Sequence, residues 1–144
     1  MPFSKDTSAG YLANHMARLF ANGLARRIAP LGLAPAQFMT LLELWAEDGL
    51  TQAALVERLD VEQATMANTL ARMQRDGLIE RRAHETDRRA RCIFLTDKAR
   101  RIEAPAIAAA EAQNAAALAG LSAEEQADLI GLMRQVVATM RREG

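Results

Sequence analysis

Apolar residues recur at helical spacing over the first third of the chain. Between residues 8 and 29 they stand three to five positions apart, at Leu12, Met16, Leu19, Leu24 and Ile28. This spacing predicts an amphipathic helix, which Pro30 and Gly32 should end. Pro35 suits the first position of a second helix, where its missing N–H is not needed. The buried side of this second helix is expected to consist of Phe38, Leu41, Leu42 and Trp45.

Two shorter helices are expected before Gly77. Thr51 is suited to cap the first by accepting a backbone N–H, and the inner stripe of that helix is Ala54, Leu55 and Leu59. Asp60 should end this helix and, with Gln63 three residues on, open the next as a variant of the capping box. The apolar face of the next helix consists of Met66, Leu70 and Met73. Gly77 is then expected to end this helix in the left-handed conformation.

The apolar period changes from that of a helix to that of a strand after Gly77. Leu78 with Ile79, and then residues 92–95, predict the two short strands of a β-hairpin. The stretch between them, residues 83–90, is polar and should form the hairpin tip. The expected order is therefore helix, tight turn, helix and hairpin.

Two long helices are expected to complete the chain. Thr96 should start the first, which continues to Ala119 and bends near Pro105, because proline removes a ladder hydrogen bond. Ser122 and Glu125 form a capping box at the start of the second. One side of this last helix carries Leu129, Leu132 or Met133, Val136 and Met140. Together the elements predict a mainly α fold with a small β-hairpin wing.

Composition fits one domain and excludes several classes of protein. The chain has 144 residues, half of them apolar, which is enough to bury a core without disulfides or a metal. No signal peptide or membrane-spanning run is visible and Cys92 is the lone cysteine, so a cytoplasmic protein is expected. His15 and His84 lack a ligand neighbour, so we expect neither a metal nor a cofactor. No catalytic motif appears, so an enzyme is not expected.

Charge along the chain is uneven. The net formal charge of zero argues against a polyanionic partner, because such binding rests on Lys and Arg. The stretch from Arg72 to Arg101, however, contains ten Lys and Arg but five Asp and Glu. This stretch includes the hairpin, and its positive balance indicates a nucleic-acid partner.

The helix over residues 61–76 has the length and polar face of a helix that enters the major groove of DNA. The side chains on its outward side suit base edges, phosphates or thymine methyl groups, and they are Gln63, Ala64, Thr65, Asn68 and Thr69. Arg72 and Arg75 continue toward the phosphate backbone. Taken alone, such a face is more often simply solvated. The basic hairpin directly after it is what favours DNA binding.

The hairpin tip carries Arg88, Arg89 and Arg91. An arginine at such a tip can enter a narrow minor groove while its neighbours hold phosphates. Asp87 is suited to orient the guanidinium of Arg89, since a carboxylate aimed at DNA would be repelled. For the tip taken alone, the alternative is a surface turn with an exposed salt bridge.

Several runs between residues 31 and 98 together resemble one family. They are LGLAPAQF at 31–38, LTQ at the start of 50–59, GLIERR at 77–82, DRRAR at 87–91 and LTDK at 95–98. These runs resemble the multiple antibiotic resistance regulator (MarR) family, most specifically in Asp87 and Arg89 followed by Leu95 and Thr96. The resemblance implies one winged helix-turn-helix domain over residues 1–144, with DNA binding at 33–100 and N- and C-terminal dimerisation helices at 1–32 and 105–144.

The resemblance also implies a function. Members of the family are homodimers that bind pseudo-palindromic operators on double-stranded DNA, usually repress nearby genes and often release DNA when a small phenolic or other aromatic ligand binds. The positions that match recognition-helix contacts are Ala64, Thr65, Asn68 and Thr69, and Arg89 matches the minor-groove arginine. Ala34 departs from the pattern, because relatives commonly have a capping Thr or Ser there. A winged-helix module whose wing contacts a protein or an RNA is the alternative function.

A homodimer is also expected from the apolar faces of the outer helices, which would find little cover in one copy. A two-fold axis would give them a shared core and set the two recognition helices about 34 Å apart, so that the operator is an inverted repeat. The residues expected in this interface are Leu12, Met16, Leu19, Ile107, Leu118, Leu121, Leu129, Val136 and Met140. An intramolecular bundle of the same residues is the alternative.

Side chains with rings are candidates to line a ligand pocket between the dimerisation and DNA-binding parts. Its candidate residues are Tyr11, His15, Phe20, Phe38 and Trp45. Aromatic residues at helical spacing are more often core residues, so the spacing alone favours the core over a ligand pocket. The resemblance implies an aromatic carboxylate as the ligand.

Cys92 has no second cysteine to resolve an oxidised form, so a packed thiol is expected there more than a peroxide sensor.

Overall fold

The structure is a computed structural model of the chain, and it describes residues 2–83, 85–86 and 91–143. Its elements are the helices and strands α1 (Ala9–Ile28), α2 (Pro35–Ala46), β1 (Leu50–Thr51), α3 (Gln52–Leu59), α4 (Gln63–Arg75), β2 (Ile79–Ala83), β3 (Arg91–Leu95), α5 (Asp97–Arg101), α6 (Glu103–Ala117) and α7 (Ala123–Glu143). The predicted mainly α fold with a small β wing is confirmed. Among the described residues, no helix combines the length and the apolar character needed to cross a bilayer.

Side-chain caps begin the helices where the sequence predicts them. Thr51 accepts a hydrogen bond from the backbone N–H of Ala54 at 3.1 Å and so caps α3. Thr96 caps α5 in the same way. Ser122 and Glu125 form the predicted reciprocal capping box ahead of α7, with distances of 3.1 and 2.8 Å. These caps satisfy N–H groups that have no partner within the helix.

The predicted start of α4 is wrong. Asp60 does not cap this helix, which begins at Gln63 after Glu62. Asp60 does end α3, as predicted, and it does so in the left-handed conformation, with φ of 53°. A short polar residue tolerates this conformation better than a branched one. Residues 61 and 62 are then needed to turn the chain into α4.

The sheet has one strand more than the sequence predicts. Its antiparallel order is β1-β3-β2, with Leu50 opposite Ile93 and Ile79 opposite Leu95. β1 contains two residues, which is too short for an alternating pattern to be visible. Cys92 is buried in the central strand of this sheet.

Asp48 joins the turn before β1 to the wing and to α5. One carboxylate oxygen accepts hydrogen bonds from the backbone N–H groups of Gly49 at 3.1 Å and Leu95 at 2.8 Å. The other oxygen pairs with the Arg100 guanidinium at 2.8 Å. This half-buried carboxylate therefore fixes the base of the wing relative to the helices.

The hydrophobic core lies between α2, α3, α4 and the sheet, and it extends to α1, α5 and α6. Its fully buried large side chains include Ile28, Leu41, Leu44, Leu55, Leu70, Met73, Leu78 and Ile93. The apolar stripes predicted for α2, α3 and α4 all contribute to this core. Leu42 is the exception, because it is exposed on the outer side of α2.

The predicted bend before Pro105 is present as a break between α5 and α6 at Ile102. The α5 side is tied to the end of α4 and to α2, since Lys98 Nζ donates to the carbonyl of Asp76 at 2.7 Å and the Trp45 indole N–H donates to the carbonyl of Ala99 at 3.1 Å. α6 instead packs along α1.

α7 buries none of its residues against the rest of the described chain. The exposed apolar side chains of this helix are Ile130, Leu132, Met133, Val136, Val137 and Met140. Leu12 and Leu19 on α1 are exposed as well. The intramolecular bundle considered above would cover these faces, and this chain leaves them uncovered.

Candidate nucleic-acid interface

α4 has one buried face and one exposed face. Met66, Leu70 and Met73 are almost completely buried in the core. Because successive residues of a helix turn by about 100°, Asn68, Arg72 and Arg75 project from the opposite side. The core therefore holds the helix by its apolar stripe and leaves its polar side to the solvent.

The residues predicted to contact DNA from this helix are brought together on its exposed surface. Those that are exposed are Gln63, Ala64, Thr65, Asn68, Arg72 and Arg75. Thr69 is half-buried, because it borders a small apolar pocket of about 120 Å³ that Met39 of α2 also lines. The exposed set offers amide, hydroxyl and methyl groups followed by two guanidinium groups, which is a suitable combination for base edges and phosphates.

The two ends of α4 also suit a polyanion. Arg75 lies 3.5 Å from the carboxylate of Asp76, but its side chain remains 72% exposed and is free to reach a phosphate. At the other end, the side chain of Glu62 caps none of the backbone N–H groups of the first turn. Such N–H groups carry partial positive charge and can donate to phosphate oxygens.

The wing lies beside α4 and is tied to it. Arg81 Nε on β2 donates to the side-chain oxygen of Gln74 on α4 at 3.2 Å. The guanidinium of Arg82 lies over the ring of Phe94, 4.4 Å from its centroid. Arg91 is exposed at the start of β3. The predicted tip contacts Asp87, Arg88 and Arg89 lie outside the described residues.

Sequence reasoning missed one residue that orients α4. Gln37 is buried, and its side-chain oxygen accepts from the backbone N–H of Ala34 at 3.1 Å. Its amide nitrogen donates to the carboxylate of Asp76, just after α4, at 3.2 Å. The glutamine thus supplies part of the cap that Ala34 lacks and holds the end of α4 against α2. A glutamine three residues after the N-cap position of a helix is the signal that would have identified it.

The residues predicted to line a ligand pocket lie in two pairs and one separate position. Tyr11 and His15 are exposed on α1, with ring centroids 6.2 Å apart. Phe38 and Trp45 pack edge to face on α2 at 6.0 Å, and Phe38 belongs to the core. Phe20 is half-buried on α1. Within the described part of the chain, no three His, Cys, Asp or Glu side chains come together as a metal site requires.

Comparison with known proteins agrees with this geometry. A family model described as MarR family matches residues 31–90. The transcriptional regulator HosA of Escherichia coli O157:H7 is 34% identical over 107 residues, which span 74% of this chain and 79% of HosA. These matches include α4 and its neighbours.

Solved structures are similar over almost the whole chain. A probable transcriptional regulator from Pseudomonas aeruginosa is 31% identical, with a TM-score of 0.84 over 92% of this chain and 99% of that protein. The PcaV transcriptional regulator from Streptomyces coelicolor, in complex with its natural ligand, is 27% identical, with a TM-score of 0.82 over 96% of this chain and 97% of PcaV. An exposed polar helix beside a basic wing, on a chain with these relatives, identifies the family. The chain belongs to the MarR family of transcriptional regulators.

Proposed function

We propose that the protein is a homodimeric repressor that binds a pseudo-palindromic operator and is released from it by a small aromatic ligand. The observation that carries the proposal is the exposed polar face of α4 beside the basic wing. A MarR-family regulator uses DNA binding as its output, and this face has the chemistry that DNA binding needs.

Base reading is assigned to the first half of α4 and phosphate binding to the rest. The side chains proposed to reach base edges in the major groove are Gln63, Ala64, Thr65, Asn68 and Thr69. Arg72, Arg75 and Arg91 are proposed to hold phosphates, since all three are exposed. For the wing tip, we propose that Arg89 enters the minor groove, with Arg88 on a phosphate and Asp87 orienting Arg89.

The homodimer is supported by the uncovered apolar faces of α1 and α7. A helix of 21 residues that buries none of them, and exposes six large apolar side chains, is unusual for a monomer. A second copy related by a two-fold axis would cover α7 and the exposed leucines of α1, Leu12 and Leu19. The same axis would present two α4 helices to successive turns of DNA.

A ligand is supported by the similarity to PcaV, which binds a natural ligand. We propose an aromatic carboxylate, held between α1 and α2 by Tyr11, His15, Phe20 and Trp45. Phe38, the fifth ring residue predicted from the sequence, lies in the core. The Tyr11 hydroxyl and the His15 imidazole can donate a hydrogen bond to a carboxylate there, whereas the Trp45 indole N–H already donates to the carbonyl of Ala99.

Selection from random duplex DNA tests the operator. We expect the full-length protein to enrich an inverted repeat and to bind it about a thousandfold or more tightly than a scrambled duplex at the same salt concentration. Fluorescence anisotropy titrations on the two duplexes measure this ratio. A ratio near one would favour a module that contacts DNA without reading it, or one that binds protein or RNA.

Trp45, the lone tryptophan of the sequence, reports on the ligand site. We expect benzoate to change its fluorescence in a saturable way and to weaken operator binding over the same concentration range. Acetate, which has the carboxylate but no ring, is the matched control. Equal responses to the two compounds would contradict an aromatic site beside Trp45.

A further inference from the structure

The last turns of α7 return to the helix-turn-helix of the same chain. The guanidinium of Arg141 donates through Nη2 to the backbone carbonyl of Glu57, in α3, at 3.0 Å. Its Nε lies 3.0 Å from a carboxylate oxygen of Asp60. One side chain from the C-terminal helix thus bonds to both the last turn of α3 and the residue after it.

The turn that Arg141 contacts leads directly into α4. Asp60 has a positive φ of 53° and lies three residues before Gln63, where α4 begins. The carbonyl of Val56 already accepts the N–H groups of Asp60 and Val61. The next carbonyl, that of Glu57, accepts from Arg141 instead. The side chain therefore supplies part of the C-terminal cap of α3, where a cation is also favoured by the helix dipole.

This contact is suited to fixing an orientation more than to adding stability. The side chains of Arg141 and Asp60 are about half exposed, and exposed ion pairs of this kind contribute little to folding. The planar guanidinium fork, however, bonds two acceptors in a fixed geometry. Because no residue of α7 is buried in the described part of the chain, this contact ties α7 to the end of α3 and, through the turn at Asp60, to the start of α4.

We propose that Arg141 is a positioning residue, which sets the orientation of α4 relative to α7 and thereby the half-site spacing that the dimer accepts. The inference rests on the proposed homodimer, in which α7 lies at the two-fold axis. A small tilt of α3 and α4 relative to α7, toward or away from that axis, changes the distance between the two recognition helices. When the Arg141 guanidinium keeps both of its contacts, one distance between the recognition helices is favoured.

A series of operators that differ in the spacing between half-sites tests this role. The variants are Arg141→Gln, Arg141→Lys and Asp60→Asn, since asparagine tolerates the positive φ while removing the charge. Arg142→Gln is the matched control, because Arg142 is adjacent and bonds to Thr139 on its own helix. Each protein is titrated with the selected operator and with operators longer or shorter by one base pair.

For the wild type and Arg142→Gln, we expect one base pair more or less to weaken binding by roughly tenfold or more. For Arg141→Gln and Asp60→Asn, affinity for the selected operator should fall by about threefold to thirtyfold, as for residues that couple sites without touching the ligand. Their preference among spacings should shrink to less than about threefold. Arg141→Lys should keep part of the preference for one spacing. The double variant Asp60→Asn, Arg141→Gln should be no worse than Arg141→Gln alone, because the arginine substitution already removes the contact to Asp60.

Two results would overturn the inference while leaving the proposed function in place. One is an unchanged spacing preference in Arg141→Gln. The other is an equal loss on every duplex with a smaller salt dependence, which would mean that Arg141 holds a phosphate directly. A wild-type protein that is monomeric or enriches no inverted repeat would overturn the proposed function and this inference together.

Discussion

Replacing Val136 with Glu should leave the protein monomeric and abolish operator binding. Val136 is 57% exposed on the apolar side of α7, the side proposed to face the second copy. The two-fold axis would bring two such carboxylates into the interface. Burying an unpaired charge costs several kcal/mol, so the dissociation constant of the dimer should rise by about a hundredfold or more. Light scattering after size-exclusion chromatography, over a range of concentrations, measures this change.

Gln135→Glu is the control for the Val136 variant, because it introduces the same negative charge one position away on the polar side of α7. This variant should remain dimeric and bind the operator as the wild type does. Circular dichroism should be the same for both variants, since neither residue is buried in the single chain. A Val136→Glu protein that stays dimeric at low micromolar concentration would exclude this face of α7 from the interface.

Replacing Asn68 with Ala should weaken operator binding and relax the preference for one base in each half-site. An asparagine in the major groove can bond an adenine through two hydrogen bonds, which are worth about 1–3 kcal/mol of discrimination. The dimer would lose two such contacts, so we expect affinity to fall by roughly thirtyfold or more. Thermal stability should not change, because Asn68 is exposed. Titrations against operators substituted at each position measure the effect.

Arg75→Gln separates phosphate binding from base reading on the same helix. Loss of a phosphate contact should weaken binding to operator and scrambled duplex alike, and it should lower the salt dependence by about one contact per protomer. Base preference should persist. An Asn68→Ala protein that keeps the full base preference of the wild type would mean that Asn68 does not read the operator.

Local signals in the sequence predict most of the secondary structure. Thr51, Thr96 and Ser122 are capping residues directly before apolar periodic stretches, and each one begins a helix in the structure. The exposed side of α4 also follows from its period, because burying Met66 and Leu70 leaves Asn68 on the outside. Asp60 misled the prediction because an aspartate suits both the start and the end of a helix, and the tertiary contact to Arg141 favours the end.

Contacts between distant parts of the chain are not visible in such local patterns. Gln37 and Asp76 are 39 positions apart, and Glu57 and Arg141 are 84 apart. The first pair holds the end of α4 and the second holds the end of α3, and neither alters any periodicity. The prediction of a ligand pocket meets the same difficulty, since rings that pack in the core and rings that contact a ligand have the same spacing along a helix. Phe38 belongs to the core and Tyr11 is exposed.

The break at Ile102 makes one residue the pivot between the anchored α5 and the α6 that lies along α1. Its φ of −91° and ψ of −1° lie just outside the helical values. A swing of ψ at Ile102 would tilt α6 against α5. Pro105 keeps the two helices from merging into one straight rod, because its ring clashes with the carbonyl of Arg101. The hydrogen bonds that hold Lys98 and Trp45 would survive that swing. A tilt of the outer helices would thus be taken up at Ile102, with α5 and the wing left in place and no loss of folded structure on either side.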